Sequence, residues 1–234
     1  MIEITERTWD TLHFGRKMGG LVISGDFSRE ELARLLDEAR REGYKHLTAR
    51  LPGSRIEWGQ ALSAAGFYLT DVGVTLARET GEAPEPLLPV RVANEDDIPA
   101  LRELSRGLYL TSRFYHDPFF SREEADGVFS AWVENSVRGE AADLVIVVDG
   151  EDGPRGYVTL GLKDTGVIIL IGASRKAPRG TGNALMAAAH RAYAERGLRK
   201  AEVRTQAYNY AAIGLYLRWG YRIASTDMTW CKIL

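Results

Sequence analysis

One cysteine, Cys231, stands in a chain of 234 residues. An internal disulfide is therefore excluded, and no thiol pair exists to build a zinc site. Its setting, MTWCKIL, is apolar and reads as a buried strand, not the surroundings of a nucleophile. The four histidines, His13, His46, His116 and His190, are scattered without metal-ligand spacing, so no metal is expected. An excess of one charge is also missing. Thirty basic against 32 acidic residues leave a net charge of -2, which argues against a nucleic-acid surface and requires any anionic ligand to be met by a local group of cations. Long apolar runs are absent too. A run such as VIILI (Val167 to Ile171) falls far short of the roughly 20 residues that span a bilayer. The acidic start, MIEITERTWD, lacks the apolar centre of a signal peptide. These absences point to a reducing cytoplasm and to no membrane insertion.

What is present divides into two parts. TGEAPEPLLP (Thr80 to Pro89) has three prolines and no helical or strand period. It predicts a smaller αβ domain over 1–82, a linker at 83–89 and a larger domain over 90–234. In the larger part, VRV reads as a strand. Glu95, Asp96 and Asp97 open a helix whose apolar face is Ile98, Leu101, Leu104 and Leu108. Ser121 and Glu124 form a capping-box pattern at the head of a second helix. DLVIVVDG, RGYVTLGL and GVIILIGA read as strands, followed by a helix from Gly180 to Arg196, the strand KAEVRT, the helix NYAAIGLYLRWGY, and a terminal strand pair in YRIASTDMTWCKIL. The order predicts an α/β fold, a mixed sheet with helices on both faces. The smaller part holds an echo of the larger. KHLTARLPGSRIEWGQALSAAGFYL lies on RKAEVRTQAYNYAAIGLYLRWGYRI with Gly66-Phe67 on Gly220-Tyr221; Arg55 then stands for Asn209 and Leu62 for Tyr216.

Two stretches carry chemistry. In NYAAIGLYLRWGY, Asn209 and Tyr216 fall on one helical face, roughly 10 Å apart along the axis. By itself this is either a helix packed on a sheet, with Tyr216 as a core aromatic whose hydroxyl stays wet, or a pair of polar groups aimed at one ligand. In IGASRKAPRGTGNALM, an apolar strand runs into a loop that opens a helix. Free N–H groups and the helix dipole favour phosphate there, Gly180 and Gly182 allow close approach, and Arg175, Lys176 and Arg179 add charge. The spacing is neither a P-loop nor a dinucleotide fingerprint.

Taken together, these stretches resemble the cofactor half of the GNAT N-acetyltransferase superfamily, in element order across 90–234. The resemblance implies the GNAT acyltransferase fold and acetyl-CoA as co-substrate. It implies that Gly180, Thr181 and Gly182, with Arg179 and Asn183 beside them, meet the pyrophosphate, Asn209 the pantetheine, and strand amides of Ile169, Leu170 and Ile171 the thioester. Tyr216 then protonates the departing CoA thiolate. The Arg or Gln usual three residues before the first loop glycine is Ala177 here, so Arg175 or Arg179 would supply that charge. Over the whole chain, TWDTLHFG, TSRFYHDPFF, AWVENSVRG and TQAYNYAA are similar to the dTDP-fucosamine acetyltransferases, which act on dTDP-4-amino-4,6-dideoxygalactose. That resemblance implies a dTDP-amino sugar as the small-molecule acceptor. In it Asp71 either receives the ammonium proton or is a strand-edge carboxylate facing solvent. Arg113 would meet the nucleotide's phosphates and Phe114 or Tyr115 stack on its base, unless the aromatic loop is a lid held by core contacts. His116 reads as solvent-facing, and Trp9 and Phe14 as a hydrophobic plug. A peptide amine as acceptor, or a CoA sensor without turnover, are the competing readings, and the terminal strands offer a route to a homodimer.

Overall fold

A computed structural model describes residues 1–234. The first part runs β1 (Ile2–Glu6), α1 (Thr8–Phe14), β2 (Met18–Ile23), α2 (Arg29–Arg41), β3 (His46–Pro52), α3 (Ile56–Ala64) and β4 (Tyr68–Glu79). The second runs β5 (Arg91–Val92), α4 (Ile98–Ser105), α5 (Arg113–His116), α6 (Arg122–Val137), β6 (Leu144–Gly150), β7 (Gly153–Leu162) and β8 (Gly166–Ala173). It ends with α7 (Thr181–Glu195), β9 (Lys200–Gln206), α8 (Tyr210–Arg218) and β10 (Arg222–Ile233). Local chemistry explains the boundaries. Asn94 and Ser121 each form a reciprocal capping box, with Asp97 and Glu124 respectively. Gly180, Gly197 and Gly220 take the positive φ values that end or begin helices.

All ten strands join one mixed sheet in the order β1-β2-β3-β10-β4-β9-β8-β7-β6-β5. Strands from before and after the 83–89 segment interleave, with β4 between β10 and β9. The terminal segment corrects the sequence reading: it is a single twelve-residue strand, not a pair. Ser225-Thr226-Asp227, which resembles a turn locally, stays extended because all three residues pair with β4, and β3 joins on the other side from Asp227. On the β3 side the ladder covers only Asp227 to Ile233, so Arg222–Thr226 is paired with β4 alone.

The echo is written into the sheet register. Gly66 and Gly220, 154 residues apart, are both left-handed (φ 82° and 78°). The same separation maps the pair Arg222–Ala77 onto Cys231–Tyr68, and Asp227–Gly73 onto itself. It also maps the pairs between β4 and β9 onto those between β10 and β3, Gly73–Gln206 onto Asp227–Pro52. Even the residues the register skips, Thr70 and Ala224, correspond. A pseudo-twofold axis therefore passes through Gly73 and Asp227. Arg55 and Asn209 are both N-cap residues, and Leu62 is wholly buried.

Helices α7 and α8 cover one face, where Leu185, Ala189 and Tyr193 meet Val158, Leu160 and Val203. On the opposite side Leu101, Phe129 and Val133 of α4 and α6 meet Val147, Tyr157 and Leu170. His190 of α7 is buried, with Nε2 3.2 Å from the Tyr221 hydroxyl and its ring stacked on Trp219. Burial lowers its pKa to about 4, well below the ordinary value near 6.5. Because the unfolded chain binds this proton first, stability is complete above pH 6.5 and declines as the pH falls toward 4, by about 3 kcal/mol in all. Urea midpoints at pH 7 and pH 4.5 check this. In His190→Gln the decline should shrink; an equal decline in the variant would assign it elsewhere.

Candidate active site

Strands β8 and β9 run parallel but pair only from Gly166–Ala201 to Ile168–Val203. Beyond that point they separate, and a cleft of about 960 Å³ opens between them. The cause is local. Leu160 pairs with Ile168 and Thr159 with Leu170, so Ile169 is an extra residue, a β-bulge that bends β8 away from its neighbour. Ile169, Leu170 and Ile171 all line the cleft. The amide of Leu170 does not serve as expected: its N–H donates to the Thr159 hydroxyl (3.0 Å), so any free amide must belong to a neighbour.

The head of α7 is open. Gly180 is its N-cap with φ 91° and has no side chain to cap the first turn, which leaves the N–H groups of Gly182 and Asn183 without an acceptor in the protein. Gly182 reaches the cleft wall. The side chains on either side are engaged elsewhere. The Thr181 hydroxyl donates to the Pro178 carbonyl (2.7 Å), and Asn183 Oδ1 accepts from Trp219 Nε1 (3.0 Å). The Thr181 N–H is also taken by the Pro178 carbonyl (3.2 Å), so of the two only Asn183 offers a free backbone donor. Arg175 and Arg179 are exposed beside this helix head.

On the far wall, Asn209 caps α8 through Oδ1 on the Ala212 N–H, while Nδ2 donates to Thr205 Oγ1 (3.1 Å). Tyr216, one face along, is 2% exposed and lines the cleft. Its hydroxyl has no hydrogen-bond partner in the protein, and burial raises its pKa above the ordinary phenol range, so it stays protonated at neutral pH.

The other predicted residues divide. Asp71 also lines the cleft, but it is no exposed edge carboxylate. It is 3% exposed, accepts from Arg204 Nη2 (2.9 Å) through Oδ2, and leaves Oδ1 buried without a partner. Arg113 lines the cleft too, buried and lying over the Phe114 ring, with Nη1 unpartnered. Phe114 reaches the cleft wall but is only 7% exposed, and Tyr115 does not reach it. Phe114 is core, edge-on to Phe120 and Phe129. Tyr115 bonds Asp126 and stacks along Phe129, away from the cleft. The reason is α5, a single turn that rolls these rings inward. Phe14 packs in the same cluster, whereas Trp9 corrects the plug reading: it is 42% exposed on the cleft wall. His116 is exposed, as read.

Sequence reasoning missed Arg50 and Arg204, which also line the cleft. They are related by the pseudo-twofold axis, and Asp227 on that axis receives both: Nε and Nη2 of Arg204 at 2.8 and 2.6 Å, and Nε of Arg50 at 3.6 Å. No local pattern marks them. The fold also gathers His46, Asp117 and Cys231 with ligand atoms within 4.8 Å, although their sequence positions showed no spacing. These atoms already satisfy one another and their neighbours. His46 Nε2 and the Tyr68 hydroxyl each lie 2.7 Å from Asp117, and burial pushes the Cys231 thiol up to about 12. That thiol is no nucleophile at neutral pH.

Comparison with known proteins agrees with this geometry. The model of the acetyltransferase (GNAT) family matches residues 103–221. The chain belongs to the GNAT family. This GNAT chain is also 30% identical over 224 residues to a dTDP-fucosamine acetyltransferase of Escherichia coli O6:H1, covering 94% of this chain and 93% of that protein. A GCN5-related N-acetyltransferase structure from Sphaerobacter thermophilus shares the fold with a TM-score of 0.64 at 16% identity, over 99% of this chain and 76% of its own. A tandem GNAT protein from the clavulanic acid biosynthesis pathway matches with a TM-score of 0.59 at 13% identity, over 94% and 76% of the two chains. GNAT enzymes take acetyl-CoA as co-substrate, and this chain is an acetyl-CoA-dependent N-acetyltransferase. No helix is long and apolar enough to cross a membrane.

Proposed function

We propose that this GNAT enzyme transfers the acetyl group of acetyl-CoA to the amine of a nucleotide-linked amino sugar of the dTDP-4-amino-4,6-dideoxyhexose type. The observation that carries this reading is the reach of the E. coli relative, whose match extends over 94% of the chain and so includes most of residues 1–82. Those residues, in this reading a domain that shapes the acceptor site, supply Arg50 and Asp71 to the cleft. A ligand with phosphates and an amine suits a wall carrying both unpaired guanidinium and unpaired carboxylate atoms.

In this mechanism the neutral amine attacks the thioester carbonyl, the carbon–nitrogen bond forms, and the carbon–sulfur bond breaks. Amides beside the bulge, at Ile169 or Ile171, polarise the carbonyl. Tyr216 gives its proton to the leaving thiolate. The proton lost by the amine passes toward Asp71 Oδ1, the carboxylate oxygen that Arg204 leaves free. Asn209 meets the pantetheine, and the Gly182 and Asn183 amides with the α7 dipole meet the pyrophosphate. Arg179 or Arg175 adds charge there. Arg179→Ala is expected to raise the KM for acetyl-CoA about fivefold at low salt, with kcat within twofold, and the difference should fade at high salt because both groups are exposed. If Arg175→Ala alone has this effect, the phosphate contact belongs to Arg175.

The reading is tested by release of free CoA from acetyl-CoA with a panel of dTDP- and UDP-4-amino sugars, polyamines and basic peptides. Turnover with a nucleotide amino sugar alone supports it. Turnover with peptides or free polyamines alone rejects the acceptor class.

A further inference from the structure

The cleft contains an aromatic and an arginine from around α1, Trp9 and Arg7, and the first residue of α5, Arg113, that acetyl transfer does not use. Trp9 is 42% exposed on the wall, yet it is not loose: one face of its indole stacks on His13 with centroids 4.6 Å apart and planes 10° from parallel. Next to it in sequence, the buried carboxylate of Asp10 accepts from Arg7 Nε and lies 3.9 Å from Arg113 Nη2. Arg113 is 7% exposed, and its Nη1 has no partner at all. Burying a guanidinium donor without an acceptor is unfavourable unless a ligand supplies one.

We infer that Trp9, Arg7 and Arg113 form a seat for the nucleoside diphosphate of the acceptor, with the base on the free face of Trp9 and the phosphates on Arg113 Nη1 and Arg7. This rests on the reading of the acceptor as a sugar nucleotide, and it assigns the nucleotide end to the region of α1 in place of the aromatic loop of α5. Acetyl-CoA carries a base and phosphates as well. Its pyrophosphate belongs at the open head of α7, however, on a different wall, so the two anions occupy separate places and bind together.

Calorimetric titration with thymidine diphosphate tests the seat. Binding should occur both to the free enzyme and to enzyme saturated with CoA. Trp9→Ala should weaken it at least about tenfold, as loss of one base–aromatic stack does, while Trp9→Phe stays within about threefold. Inorganic pyrophosphate should ignore Trp9→Ala but bind more weakly to Arg113→Lys, whose ammonium lacks the fork. In turnover, Trp9→Ala should raise the acceptor KM with kcat within twofold. Trp9 is exposed, and unchanged CoA binding by the variant confirms that it folds. If wild-type enzyme acetylates a nucleotide amino sugar while Trp9→Ala and Arg113→Lys match it, the seat is wrong and the acceptor reading survives. If thymidine diphosphate binds only in competition with CoA, the seat is also wrong. If wild type neither binds it nor accepts any nucleotide sugar, both fall.

Discussion

Tyr216→Phe is expected to lower kcat by about 10²- to 10³-fold and to leave acetyl-CoA affinity within twofold. The phenol is the one proton donor aligned with Asn209 on the cleft face of α8, and its hydroxyl makes no bond that folding requires. Removing the oxygen therefore costs little stability, and the ring still packs against Tyr221. The departing thiolate would then have to take its proton from water. The pH dependence follows from the same burial. Because the folded pKa lies above the ordinary phenol value near 10, the acid form persists, and kcat of the wild type should show no alkaline decline from this group below pH 10. Steady-state kinetics and CoA titration of the variant decide the matter. A kcat within threefold of wild type would remove Tyr216 from the role of general acid.

Gly73→Ala is expected to destabilise the protein by about 3 kcal/mol, although it adds one methyl group. Gly73 lies on the pseudo-twofold axis opposite Asp227. A Cβ there would come within 2.1 Å of Arg204 Nη2 and 2.4 Å of its guanidinium carbon. The arginine can swing away, but in doing so it leaves Asp71 and Asp227. Asp71, with a 2% exposed side chain, would then be a buried carboxylate with no cation. Activity should fall as well, since the cleft wall loses both groups. Equilibrium urea unfolding at pH 7 checks this. A change below 1 kcal/mol would show that the Arg204 network contributes little to holding β4, β9 and β10 together.

Different parts of the molecule were legible for different reasons. The open head of α7 and the Asn209–Tyr216 face could be read because each lies within one continuous segment. A glycine-rich strand-to-helix turn and a seven-residue helical spacing are local geometry, and the backbone needs no distant partner to produce them. The capping box at Ser121 is legible on the same grounds. Aromatic residues were less readable. Trp9 and Phe114 are equally apolar in a sequence, but whether a ring is core or wall depends on what the fold places over it. Phe114 met Phe120 and Phe129, whereas Trp9 met only His13 on one side.

The sequence by itself determined the fold class and the transferase half, and it offered the groups proposed to handle the thioester. It also held the 154-residue echo, because a strand, a capped helix and a Gly-aromatic turn repeat as local patterns. Only the tertiary structure decided where that echo leads. The strands β10 and β4 pair about the axis through Asp227 and Gly73, which brings Arg50 and Arg204 to one carboxylate and buries Asp71 beside them. Hydrogen bonding between strands is indifferent to how far apart they lie in the chain. No window of residues around Arg50, Asp71 or Arg204 therefore reports the neighbours that set its charge, exposure and work.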